Sequence, residues 1–247
     1  MARSAAAVFS MSKGRASVKR AGFPRVIAID GPSAAGKSTV GILVGRRLGY
    51  LFLDTGAMYR AITLAALRRG IDLGDEGVLG ELAGSAEIEM GPPRLESVET
   101  CTVSVDGDDV TTDLRRPEVE AAVSLVSRVP AVRQALVATQ RRLAGHQSVV
   151  MAGRDIGTVV LPDADLKLYL DASLEERARR RHRELQALGQ TVTEDQVLHD
   201  LRRRDSIDSQ RSTSPLRPAE DAIIIDTDGM TLEQVVENIL TLAETMS

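Results

Sequence analysis

At 247 residues, with 43% apolar and 27% charged side chains, the chain has the make-up of a globular protein with one sizeable core and room for an inserted subdomain. A net charge of −4, one cysteine and three scattered histidines argue against bulk nucleic-acid binding, a disulfide framework and a cysteine- or histidine-based metal site. No apolar run approaches the ~20 residues that span a bilayer, so a cytoplasmic monomer with neither membrane nor nucleic-acid partner is expected. Positive charge rests on 27 arginines against 4 lysines, which a GC-rich genome or extensive bidentate phosphate recognition would each explain.

Taken in chain order, residues 1–24 are basic, rich in Ala and Ser and free of acid. They read as a flexible leader, with an organelle transit peptide as the other reading. "VIAID" (26–30) is a short β-rich run, and residues 37–48 have helical spacing. "YLFLD" (50–54) reads as a second strand, followed by a helix over Ala57–Arg69. The stretch from about 71 to 125 breaks this rhythm: alternating strand patterns split by GPPR and DG predict a small antiparallel sheet, inserted between core elements. Pro130 opens a helix to about Ala144, with Gly145 as its stop. "SVVMAG" (148–153), "DLKLYL" (165–170) and "AIIID" (222–226) complete a set of five nearly continuous apolar runs, as buried parallel strands tend to be. Strands alternating with helices predict a doubly wound α/β sheet.

Between the first strand and its helix stands Gly31-Pro32-Ser33-Ala34-Ala35-Gly36-Lys37-Ser38, followed by Thr39. This fits G-x-x-x-x-G-K-[ST] in the required context. Such a loop turns backbone amides and a helix N-terminus toward phosphate oxygens. Lys37 reaches the outer phosphates, and the Ser38 hydroxyl is a Mg²⁺ ligand. A nucleoside triphosphate is the expected ligand. A GTPase-like switch would need N-K-x-D downstream, which the sequence lacks, and its D-x-x-G lies near the C-terminus, at Asp226–Gly229. A nucleic-acid motor would want a longer chain and a strand ending in paired acids.

"LDTGAMYR" follows the second strand with Asp54, Thr55 and Arg60, and "AGRDIGT" follows the third with Gly153, Arg154 and Asp155. Ligands of open α/β sheets bind beyond the carboxyl ends of the strands. Arg60 and Arg154 would therefore face the crevice beside the glycine loop, with Arg133 reachable from the same side. Surface ion pairing is the bland reading of each arginine; a second phosphate site is the sharper one.

Together, "GPSAAGKST", "LDTGAMYR", "GRDIGTVVLPDADLKLYLDAS", "EERARRR" and "RRRDSIDSQR" stand in an order that resembles bacterial cytidylate kinases, from about Arg25 onward. The resemblance implies a five-stranded parallel P-loop kinase core with helices on both faces, an inserted antiparallel β subdomain and a helical lid. It divides residues 25–247 into a core (25–70, 126–172 and 213–247), an acceptor-binding insert (about 71–125), and lid and closing helices (about 173–212). It implies transfer of the γ-phosphoryl group of ATP, with Mg²⁺, to CMP or dCMP. Arg60, Arg154 and Arg204 would grip the acceptor phosphate. Ser124, Arg133 and Asp155 would read cytosine, and Thr55, Asp208 and Arg211 would surround the sugar. Of Arg177, Arg180 and Arg181 in the lid, Arg177 and Arg181 are expected on the ATP phosphates, sharing the catalytic role with Lys37, Arg60 and Arg154. Many relatives carry glycine at the position of Ala34, where alanine would add strain if the backbone angle is unusual. A kinase acting on UMP, AMP or a sugar acid is the alternative.

Overall fold

The computed structural model describes residues 23–94, 101–145 and 147–245; apart from its last two residues, the expected leader lies outside them. Numbered in chain order, the strands are β1 (Val26–Asp30), β2 (Leu51–Asp54), β3 (Ile88–Gly91), β4 (Thr102–Val105), β5 (Asp108–Asp109), β6 (Val149–Ala152), β7 (Leu166–Asp171) and β8 (Ile223–Asp226). The helices are α1 (Lys37–Leu48), α2 (Thr55–Arg68), α3 (Glu76–Ser85), α4 (Pro117–Ser127), α5 (Pro130–Ala144), α6 (Leu174–Ala187), α7 (Glu194–Gln210) and α8 (Leu232–Thr245). No single helix among the described residues is long and apolar enough to cross a membrane.

All five expected core strands are present and pair in parallel in the order β2-β6-β1-β7-β8. Burial on both faces accounts for the apolar runs of β1 and β6, whereas the edge strand β8, expected to be buried, leaves Ile223 and Ile224 exposed. In β1, Ile27 and Ile29 pack with Val40 and Val44 of α1 and with Val236 and Ile239 of α8. Ala28, pointing the other way, packs with Leu53, Met151, Ile156 and Val160. Register then levels the strand ends: Asp54 lies opposite Ala152, and Ala152 opposite Ile29. The loops after β2, β6 and β1 therefore emerge side by side.

The expected inserted sheet is β3-β4-β5, antiparallel. Asp106 and Gly107 carry positive φ of 53° and 86° between the paired Val105 and Asp108, the two-residue hairpin turn that DG favours. Sequence reading missed the two helices α3 and α4, which flank this sheet. They share one core with α2 and α5, built on Met58, Ile62, Leu79, Val103, Val119 and Leu136. α4 and α5 meet at 98°, a bend that keeps one face of α4 and the first turn of α5 on the same side. Beyond β7, α6 and α7 close over a small cluster of Ala178, Val197 and Leu201, against which the loop residue Ala34 rests.

Candidate active site

The glycine loop runs from β1 into α1. Gly31 has φ +147°, and a Cβ there would stand 2.1 Å from the Leu170 carbonyl oxygen, so only glycine lets the loop pass β7. Ala34 has φ +60°, in the left-handed region where a non-glycine residue costs about 1–2 kcal/mol. The unusual angle suspected at this position is thus real. The methyl group leans on the lid cluster, a contact glycine would lack. Gly36, at φ +86°, starts α1 with no side-chain cap, leaving its first amides for an anion. The Lys37 ammonium donates to the Pro32 carbonyl at 2.5 Å. Burial, assisted by Arg154, draws its pKa well below the usual lysine value, against Asp54, Asp30 and Asp208. The Ser38 hydroxyl donates to Asp54 Oδ2 at 2.7 Å.

Arginines gather on the opposite wall. Arg154 donates from Nε to Asp208 (2.9 Å) and from Nη2 to the Ser33 hydroxyl (2.8 Å), which ties the loop after β6 to both α7 and the glycine loop. Arg60 Nε and Arg204 Nη1 donate to the two oxygens of Glu120, at 2.7 and 2.8 Å, and Arg181 Nη2 stands 3.8 Å away. Burial works against the charge on Glu120. Arg60, Arg204 and Arg181 outweigh it and hold the carboxyl far below the usual range.

Deeper in the cleft, Arg133 is 2% exposed. Its Nη2 donates to Asp155 Oδ2 at 2.5 Å and its Nη1 to the Ser127 carbonyl at 3.0 Å, while the guanidinium lies 5.3 Å from the Tyr59 ring centre. Burial pushes the Tyr59 hydroxyl up to about 12, with Arg133 opposing. Ser124, one α4 turn before Ser127, is buried against the same space. Thr55 donates to the Ala152 carbonyl at 2.9 Å. Arg211 sits 3.7 Å from Asp208 and donates to its carbonyl.

Asp30, at the end of β1, points under this wall. Its two oxygens accept the amides of Ile156 and Gly157, each at 2.8 Å, and so anchor the π-helical turn that follows Arg154 and Asp155. Burial raises its pKa to about 6, more than the two amides lower it.

One cavity of about 470 Å³, within the usual range for a small-ligand site, is lined by the loop residues Ser33 to Thr39 and by Thr55, Arg60, Ser124, Arg133, Arg154, Asp155, Arg181, Arg204, Asp208 and Arg211. Every expected acceptor-side residue is therefore in one place. Gly31 and Pro32, expected with the rest of the loop, are not on the cavity wall; Gly31 passes against Leu170 and the Pro32 carbonyl accepts from Lys37. Arg177 is not on the cavity wall. Its guanidinium donates to the Ala172 and Ser33 carbonyls and pairs with Asp205 at 2.6 Å, bracing the lid against the loop. Arg180, the lid arginine not favoured from sequence, does line the cavity and donates to Thr227. Sequence reading also missed Glu120, Tyr59 and Asp30, and the apolar end formed by Met230, Leu232 and Val235. For Glu120 a signal existed: with Ser124 and Ser127 it forms a stripe at helical spacing, beside the buried Val119, Val123 and Val126.

Residues 27–245 match the family model described as cytidylate kinase. A cytidylate kinase of Pelotomaculum thermopropionicum is 51% identical over 218 residues, 88% of this chain and 95% of that protein. One from Caldanaerobacter subterraneus is 51% identical over 213 residues, 86% and 92% respectively. A gluconokinase from Sinorhizobium meliloti 1021 is similar at 18% identity and a TM-score of 0.45, covering 91% of this chain and 96% of that one, too loose a likeness to bear on substrate. With half of all positions shared over nearly the whole length of such relatives, and a family model spanning everything from β1 to α8, the chain belongs to the cytidylate kinase family.

Proposed function

We propose that this cleft phosphorylates CMP and dCMP with ATP through the residues described above. An oxygen of the acceptor's phosphate attacks the γ-phosphorus in line as the bond to the β–γ bridging oxygen breaks, giving CDP or dCDP and ADP. The attacking oxygen is already ionised at neutral pH, so no strong general base is required. Charge spreads over the phosphoryl oxygens in the transition state, and catalysis is mainly positioning and electrostatic cover. Lys37 and the α1 amides supply that cover on the donor side, Arg60, Arg154 and Arg204 on the acceptor side, and Arg181 from the lid. Arg177 contributes by holding the lid helices to the loop. Asp155 and Ser124 accept from the cytosine amino group and Arg133 donates to the ring acceptors; uracil reverses this pattern and leaves buried polar groups unpaired, at roughly 1–3 kcal/mol each. The adenine of ATP lies toward Arg180, Met230, Leu232 and Val235. Ser38 and Asp54 are adjacent hard oxygen donors that fit Mg²⁺, which when bound screens phosphate charge. The protein works as a cytoplasmic monomer without nucleic-acid or membrane partners.

The observation that carries this reading is the joining of a phosphate loop, an arginine cluster and the buried Arg133–Asp155 pair in a single cavity. ADP release measured with ATP and each of CMP, dCMP, UMP, AMP and a sugar acid tests it. CMP and dCMP should give the highest kcat/KM. Turnover led by another acceptor, or ATP binding without acceptor-dependent turnover, would replace the reading.

A further inference from the structure

Glu120 has no part in the resemblance that led to this site, yet it is the carboxylate on which the arginine wall converges. It stands on α4, its side chain 13% exposed, and reaches Arg60 on α2, Arg204 on α7 and, at 3.8 Å, Arg181 on α6. Arg181 also pairs with Glu184 at 2.8 Å, which Arg115 approaches to 3.4 Å from the insert. Each of the two closer arginines offers Glu120 one edge only: Nε from Arg60 and Nη1 from Arg204. The remaining N–H groups of both stay available, and Arg204 Nε is buried without a hydrogen-bond partner among the described residues.

We propose that Glu120 is a positioning residue for phosphoryl transfer. It fixes the guanidinium planes of Arg60 and Arg204 from behind, so that their other N–H groups converge on the acceptor's phosphate. The inference rests on the reading of this cleft as the CMP site. Two physical reasons favour positioning over competition with the phosphate. Burial most of all, and Arg60 and Arg154 after it, disfavour the charge on Arg204, while Glu120 favours it, so this carboxylate is the counter-charge among the neighbouring guanidinium groups. A Glu120 displaced by every incoming acceptor would also be a buried anion stripped of its cations, which is strongly unfavourable.

The test uses the full chain with Glu120→Gln, which keeps the shape and loses the charge, and Glu120→Asp, which keeps the charge and retracts it by one methylene. Steady-state kinetics is combined with calorimetric binding of CMP and of cytidine, which lacks the phosphate. Loss of charge-assisted bonding to two arginines should raise the KM for CMP about 10- to 50-fold in Glu120→Gln, with Glu120→Asp in between. The KM for ATP and the affinity for cytidine should both stay within about twofold, a contrast that a general loss of structure would not produce. Thermal melts accompany both variants; if Glu120→Gln does not fold, Glu120→Asp must show the same contrast at about 3- to 10-fold. An unchanged or lowered KM for CMP, or a parallel loss of cytidine binding, overturns the role of Glu120 while leaving the function intact. A wild-type enzyme without CMP-dependent ADP release overturns both.

Discussion

Asp30→Asn is expected to change how stability depends on pH. The folded-state pKa of Asp30 is about 6 against an ordinary 3.8, so the folded chain binds its proton more tightly than the unfolded one. For a raised pKa, the proton-linked contribution is complete below 3.8 and disappears as pH rises through 6. At 1.36 kcal/mol per unit, the difference amounts to about 3 kcal/mol, of which about 2 falls between pH 4.5 and 7.5. Asparagine does not titrate. Its oxygen accepts only one of the Ile156 and Gly157 amides and its NH₂ faces the other, a penalty that is the same at every pH. Urea unfolding of both proteins at half-unit steps from pH 4.5 to 7.5 therefore gives a wild-type minus variant difference that shrinks by about 2 kcal/mol as pH rises. Heating should show the same trend as a gap changing by roughly 4–8 °C. Parallel profiles across the window would refute the reasoning, because they would mean that Asp30 is ionised throughout and that its two amides outweigh burial.

Gly31→Ala should lower the urea midpoint by an amount worth at least about 2 kcal/mol, since its Cβ would overlap the Leu170 carbonyl at 2.1 Å; a wild-type midpoint would mean the loop can move off β7. Arg154→Lys keeps the charge but cannot serve both Asp208 and Ser33, so kcat/KM for CMP should drop about 100-fold in the ADP-release assay, and a loss under threefold would remove the bidentate role. Ser124→Ala should narrow the CMP to UMP ratio of kcat/KM by about 3- to 10-fold, and an unaltered ratio would take Ser124 out of base recognition.

Much of the sheet is legible in the sequence, because a strand buried on both faces is nearly all apolar, as β1 and β6 are, and β7 keeps Leu166, Leu168 and Leu170 buried on one face. The phosphate loop was equally legible, since its glycines answer to local backbone angles. α4 was not. Its β-branched Val119, Val123 and Val126 suggest strand, and the nearby turn signals strengthen that impression, although their spacing is helical. The roles of the lid arginines were out of reach for a different reason. Arg177 and Arg181 are one turn apart, and only the packing of α7, which brings Asp205 to the first, separates them. Glu120 and Arg204 meet across 84 positions of chain, a distance at which no local pattern carries information.

The brace at Arg177 constrains how the two lid helices can travel. One buried guanidinium holds the Ser33 and Ala172 carbonyls and Asp205, and Asp205 also accepts the Ser33 amide at 3.4 Å. The near ends of the pair are thus riveted to the phosphate loop, whereas Gly189, at φ +75°, sits in the turn at the far end. The pair is therefore fastened to the nucleotide's own cradle at one end, and its outer end meets the insert through the Arg115–Glu184 contact at 3.4 Å.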